Sequence, residues 1–284
     1  KKMHEKIKRG ASNFFKIIKK PEMGVLPGHL AFSFVLSIVP TLTILSFIAS
    51  FFNFDLGFIR DFITQSFSSE FADMLLGTNV IASADWNFFI TLIIAYLFAS
   101  NGAASVITSS NMIYGIKNSK FMKRRLKSLL MILIIILLFV FLLIFSVFGN
   151  KIIEMLQIMD ISDNIITNIT LVISVLKGPV SWFIIFLFIK IIFTMAPDKK
   201  IESHLVNKGA IFTTVGFVLI TYIYSLYTTY VANYEVLYGN LASIVVLMIW
   251  LYLLSYIFTI GLALNYRSEE IILEKTAKLE ALKK

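Results

Sequence analysis

The chain has 284 residues, 58% of them hydrophobic and only 15% charged, with a net charge of +9 and a mean hydropathy of +0.83. Soluble domains average about 45–50% apolar and about 25% charged, so 27 Phe beside this much Ile and Leu would leave large apolar patches in water. A soluble globular, disordered, collagen-like or disulfide-stapled protein is therefore excluded, and with no Cys there is neither a thiolate metal site nor a cysteine nucleophile.

Residues 1–20 mix Met3, Ile7, Phe14, Phe15, Ile17 and Ile18 with eight cations, which predicts an amphipathic helix on the inner leaflet. Pro21, Pro27 and Gly28 are expected to separate it from the first span. Six apolar blocks follow: Leu30–Phe52, Asn87–Ser110, Ser128–Gly149, Leu171–Ala196, Ala210–Val231 and Leu241–Asn265. Each is near or above the roughly 20 residues a helix needs to cross a bilayer. The fold class is thus all-α, a polytopic membrane protein with six transmembrane helices. A basic segment over 1–29 precedes the membrane domain over 30–265, and a solvated helical tail follows over 266–284. The first block is too long for a signal-peptide h-region, so no cleavable signal is expected. In the fourth block Lys177, Gly178 and Pro179 predict a weakened or kinked helix whose core is 180–196.

Two segments between spans carry helical stripes. Phe54–Leu76 sets Ile59, Phe62, Ile63, Phe67, Phe71, Met74 and Leu75 at helical steps, with Asp55, Asp61, Glu70 and Asp73 for the wet side. Lys151–Thr170 repeats the pattern with Ile152, Ile153, Leu156, Ile158, Ile161, Ile165 and Ile166. Both are expected to form amphipathic helices in the outer loops, capping the mouth or lying in the interface.

Lys and Arg set the orientation. The N-terminal segment, the loops after spans two and four and the tail hold 22 of the 26 cations, while the opposite side holds only Arg60, Lys151 and Lys177. With acids subtracted, the two sides carry +14 and −6. Both termini are therefore expected in the cytoplasm. The same bias accounts for the basic character, with anionic lipid headgroups as partners and no nucleic acid, since no nucleic-acid-reading motif accompanies the cations.

No Asp or Glu lies within the six blocks, and Lys190 is the one cation at membrane depth in them, Lys177 lying at the interrupted start of the fourth. Ion-coupled transporters place a carboxylate near the midplane, so tight coupling is not expected. His4, His29 and His204 lie outside the blocks without ligand spacing, so neither a metal nor a cofactor is expected. Lys190 sits six residues from the end of its block, about 9 Å at 1.5 Å per residue. Either it snorkels to the interface or it faces a cavity that takes an anionic group. In span two, Asn101, Ser105, Thr108 and Asn111 share a face, beside Ala99, Gly102, Ala103 and Ala104 that admit a close neighbour. They read as interhelical glue or as a pathway lining. Span three is apolar all round and belongs at the lipid-facing periphery. Tyr224, Tyr227, Tyr230, Tyr234 and Tyr238 step by three or four along span five, with Thr221, Ser225, Thr228 and Thr229 nearby. They read as an aromatic belt with packing, or as a hydroxyl-lined groove.

The run from Tyr238-Gly-Asn through Trp250-Leu-Tyr252 to Gly261-Leu-Ala-Leu-Asn265 resembles the last-span signature of the YihY/BrkB family, once labelled ribonuclease BN-like. Ala31–Pro40 is similar to that family's first-span motif, Asn111-Met-Ile-Tyr-Gly-Ile to its sequence after span two, and Gly209-Ala210 to its opening of span five. The likeness covers nearly the whole chain. One departure is Ala263, where the family commonly has an acid, so no role of that carboxylate carries over. The resemblance implies a six-span bacterial inner-membrane protein, linked in some members to serum resistance and suspected of export or lipid handling. Ribonuclease activity is not expected, because paired carboxylates and metal-ligand spacing are missing.

The leading expectation is a plasma-membrane transporter that exports or translocates a lipid or other amphiphile, not an enzyme. Ser37 and Pro40 of span one, the span-two stripe, Lys190 and the span-five tyrosines are its candidate pathway residues. An envelope protein that organises a membrane partner is the alternative. A lipid-headgroup enzyme using Asp55, Asp61, Asp73 or Asp85 is a third.

Overall fold

A polypeptide in hydrocarbon must satisfy its backbone within the segment itself, and uncharged blocks of Leu, Ile and Phe do so as helices. The computed structural model describes residues 19, 21–51, 86–158, 163–230 and 242–281, with isolated positions between 57 and 69. Among them are six helices long and apolar enough to cross a membrane. They are α1 (Glu22–Phe51), α2 (Trp86–Ile113), α3 (Phe121–Ile158), α4 (Asp163–Met195), α5 (Asn207–Tyr230) and α6 (Ala242–Ala281). No strand occurs among the described residues. Residues 1–18 and most of 52–85, with their amphipathic patterns and Asp55, Asp73 and Asp85, lie outside the described residues, as do Tyr234 and Tyr238.

The helices outrun the apolar blocks. α1 begins at Glu22 and continues through Pro27 and Gly28, so these residues do not separate a leading segment from the first span as the sequence suggested. Met23, Leu26 and Leu30 form one fully buried face there, and its packing outweighs the hydrogen bond that Pro27 cannot donate. The boundary at 29/30 therefore falls inside α1, and the one at 265/266 falls inside α6, which carries on to Ala281. Residues 151–158 extend α3 and 163–170 begin α4, so Lys151–Thr170 is not a separate capping helix. α4 also runs unbroken through Pro179.

Side-chain pairing gives α1–α2, α2–α3 and α5–α6 an antiparallel register. Ser33 and Ser37 of α1 meet Ser105 and Gly102 of α2. Tyr96 and Asn101 of α2 meet Leu129 and Arg125 of α3. Gly209, Thr221 and Tyr224 of α5 meet Asn265, Trp250 and Val246 of α6. The α2–α3 and α4–α5 loops therefore share one end of the bundle with the start of α1. We call this the basic end, because it carries Lys117, Lys120, Lys123, Arg124, Lys199 and Lys200.

All six helices feed the interior. Its core joins Leu30, Ala103, Ile107, Met131, Phe193, Ala210, Phe258 and Leu262, and Phe193 and Phe258 stack with centroids 4.8 Å apart. Outward, Phe32, Leu36, Ile93, Phe98, Leu137, Phe183, Leu219 and Ile223 are exposed, an apolar surface that belongs in lipid. α3 buries Met131, Ile132 and Ile136 and turns Leu130, Leu133 and Phe141 outward. α5 and α6 approach closely at two glycines. A Cβ on Gly209 would overlap the Gly261 carbonyl and the Asn265 side chain, and one on Gly261 would overlap Thr213 Oγ1.

Gly209→Ala and Gly261→Ala should each destabilise the bundle by about 1–3 kcal/mol through overpacking, whereas Gly24→Ala, with nothing near its Cβ, should be neutral or slightly stabilising. Thermal unfolding in detergent, followed by circular dichroism, checks the contrast.

Candidate functional site

The span-two stripe divides between two helix contacts. At the first, Ser105 Oγ donates to Ser33 Oγ at 2.6 Å and the Gly102 amide donates to Ser37 Oγ at 2.8 Å. Ser33, Ser37 and Thr41 in turn donate to the carbonyls four residues back. A Cβ on Gly102 would sit 3.0 Å from Ser37 Oγ, so the small residue sets the α1–α2 spacing. Ser37 and Ser105 are buried in this seam, and Pro40 is half-buried in the same helix. Thr108 donates back to Ala104.

The second contact is a polar clasp at the basic end. α2 stops at Gly115, whose φ of +63° lets the chain reverse. Gly115 N–H bonds Met112 O and Ile116 N–H bonds Asn111 O, closing the helix in a Schellman motif. Asn111, fully buried, then reaches three groups. Its Nδ2 donates to Asp198 Oδ2 at 2.7 Å and to Asn118 Oδ1 at 2.9 Å, and its Oδ1 accepts from the Asp198 amide at 2.8 Å. Ser119 N–H donates to the same carboxylate, and Lys127 Nζ donates to Asp198 Oδ1 at 2.9 Å and to the carbonyls of Ala196 and Pro197. The clasp ties the α2–α3 loop, the first turns of α3 and the exit of α4 into one unit. Burial pushes the Asp198 carboxyl up, but the hydrogen bonds from Lys127, Ser119 and Asn111 outweigh it and hold the group well below the usual carboxylate range.

Beside the clasp, Lys199 Nζ bonds Glu269 at 2.7 Å and stands 4.9 Å over the Tyr114 ring, which meets Tyr266 edge-on. Burial, reinforced by Glu269, raises the Tyr114 hydroxyl and keeps it neutral. Asn265 accepts from the Gly209 amide at 2.8 Å, which explains physically why Gly261-x-x-x-Asn265 and Gly209 occur together. Ala263, at the position where an acid was expected, is buried against Met23 and Ile260.

The tyrosine stripe also divides. Tyr224 is buried and donates to Val246 O of α6 at 2.8 Å, while Tyr227 is 41% exposed with its ring 6.2 Å from that of Tyr224. Tyr230 ends α5. Asn101 accepts from Arg125 at 2.8 Å. Ser37, Asn101, Ser105 and Tyr224 are thus bonded to a neighbouring helix, and Asn111 to the loops beside it.

Lys190 is placed differently. It is half-buried in an open groove of about 380 Å³ with Leu187, Ile191, Thr194 and Met195 of α4 and Ser203 of the loop beyond. No described residue hydrogen-bonds or pairs with its ammonium. Sequence reasoning did not find Asp198, Lys127, Arg125 or Ser203. They lie in or beside loops, and only the three-dimensional pairing gives them partners. Among the described residues, no three His, Asp or Glu gather as metal ligands would.

A bundle of six helices long and apolar enough to cross a membrane, with an apolar exterior, defines a multi-pass membrane protein. The profile of the family described as Virulence factor BrkB matches residues 14–283, and the chain belongs to that family. It is 25% identical over 274 residues to a UPF0761 membrane protein of Aliivibrio salmonicida, covering 91% of this chain and 85% of that one. It is 27% identical over 175 residues to the putative ribonuclease-like protein YfkH of Bacillus subtilis, covering 61% of this chain. To a UPF0761 membrane protein of Idiomarina loihiensis it is 30% identical over 107 residues, or 36% of this chain. The chain spans 62% of the Bacillus protein's length and 38% of the Idiomarina protein's. No solved structure matches it.

Because the folded state lowers the Asp198 pKa, the clasp contributes its stability above the unfolded value of about 4 and loses it as pH falls towards the folded value. The melting temperature should therefore fall on acidification below about pH 5, and Asp198→Asn should flatten that slope while lowering stability at pH 7. Lys127→Ala, which strands the carboxylate, should cost on the order of 3 kcal/mol. Melting curves across pH 3–7 check both.

Proposed function

We propose that the protein transports an anionic amphiphile across the membrane without tight ion coupling, the headgroup engaging Lys190. One observation carries this reading. Lys190 faces an open groove of about 380 Å³ on the lipid side of α4, with Thr194 and Ser203 as its polar neighbours and Leu187, Ile191 and Met195 as apolar walls. A cation among aliphatic side chains suits a molecule with an anionic head and an apolar body. The groove sits near the basic end, where such a headgroup would first arrive from that leaflet. The six apolar blocks carry no carboxylate to bind a coupling proton or sodium ion, which supports facilitated rather than ion-driven movement.

Purified protein in liposomes should accelerate flipping of a fluorescent anionic phospholipid relative to protein-free vesicles. Lys190→Ala should slow it several-fold, and a protonophore should leave the rate unchanged. Absence of protein-dependent flipping, with a sharp melting transition, would overturn the proposal and favour a role in organising an envelope partner.

A further inference from the structure

A second groove lies among α1, α2 and α3, and it has no part in the Lys190 reading. Ile44 of α1, Leu92, Ile93, Tyr96 and Leu97 of α2 and Leu129 of α3 enclose about 270 Å³ of wholly apolar space. Tyr96 holds its walls together by donating to Leu129 O at 2.6 Å, which turns the one polar atom of the lining into a cross-brace. Ile93 is 61% exposed, so the groove opens outward to the hydrocarbon.

The rim of this groove nearest the basic end is built from a fixed cation. Arg125 lies one helical turn before Leu129, and its two terminal nitrogens donate to Asn101 Oδ1 and to Leu97 O, each at 2.8 Å. Leu97 is itself part of the lining, so the guanidinium is anchored to the backbone of one wall of the slot. Of the five N–H donors a guanidinium carries, the described residues engage these two, which leaves three that can meet an anion. Phe121, Met122 and Leu126 around it are 69%, 74% and 61% exposed, the mark of a stretch seated among headgroups and upper acyl chains.

We infer that this groove is the seat of a resident anionic phospholipid, its phosphate on Arg125 and one acyl chain between α2 and α3. Charge complementarity selects the occupant. The slot accepts only hydrocarbon, and its rim offers fixed N–H donors in the fork geometry that matches phosphate. Lys120 and Lys123, exposed nearby, attract anionic lipid to the leaflet without shaping a site. The bound lipid would bridge α2 and α3, completing a helix pair whose direct polar ties are Tyr96–Leu129 and the Arg125 contacts.

The test is native mass spectrometry of the full chain in mild detergent, titrated with phosphatidylglycerol or with phosphatidylcholine of identical chains. Phosphatidylglycerol should be retained over phosphatidylcholine. Arg125→Gln, which removes the charge, and Ile93→Trp, which fills the slot and leaves the cation, should each weaken retention about tenfold, whereas the exposed-site change Lys123→Gln should not. Inorganic phosphate should not displace the lipid, because it lacks the chain. The inference is overturned if the two lipids are retained equally, if phosphate competes, or if Lys123→Gln matches Arg125→Gln. Retention by Ile93→Trp at the wild-type level overturns it too, and that variant decides the matter should Arg125→Gln fail to fold. None of these outcomes depends on flux, so they are separable from the transport reading.

Discussion

A bilayer offers no water to a polar group, and the whole arrangement of this bundle follows from that scarcity. The seryl seam between α1 and α2, the Tyr224 bond to α6 and the Asn265 bond to Gly209 each turn a polar side chain into a helix tie. Small residues do the complementary work. Gly102, Gly209 and Gly261 bring backbones close enough for short side chains to reach across. The polar stripe of span two is therefore mainly structural, with the apolar face of the same helix turned to lipid.

Charge obeys the same constraint by retreating to the ends of the spans. Lys127–Asp198 and Lys199–Glu269 both lie where the helices end and loops can fold back over them. Asp198 is the more demanding case, with its side chain only 6% exposed, and it is tolerated because a lysine, a buried asparagine and a backbone amide all donate to it. The clasp fixes where α4 leaves the bundle and hence where the loop bearing Ser203 passes Lys190. The clasp thus positions the groove on which the functional reading rests.

Two cations stand apart from these ties in what they leave free. Lys190 is bonded to no described residue, and Arg125 spends two donors on α2 and turns the remainder outward. Each stands over aliphatic walls, so each matches a ligand that is part anion and part hydrocarbon. They line different helices, which separates the proposed substrate site from the proposed lipid site.

The number of spans, the all-helical class and the basic rim were legible from residue order alone, because hydropathy over some 20 residues and the placement of Lys and Arg are properties of a linear string. The family was legible as well, in Gly261, Asn265, Gly209 and the Asn111–Ile116 run, whose contacts now explain their co-occurrence. Helix ends were not. Pro27 and Pro179 read as breaks, but packing of Met23, Leu26 and Leu30 and the continuity of α4 override a single lost hydrogen bond. Nor could the string say which stripe is glue and which is groove. Ser105 and Lys190 are both polar residues in apolar helices, and only a neighbour's distance separates them. Residue order determined what must enter the membrane. The tertiary structure alone decided which polar groups find partners there, because pairing depends on hydrogen bonds between residues distant in the chain, such as Asn111 and Asp198, 87 positions apart.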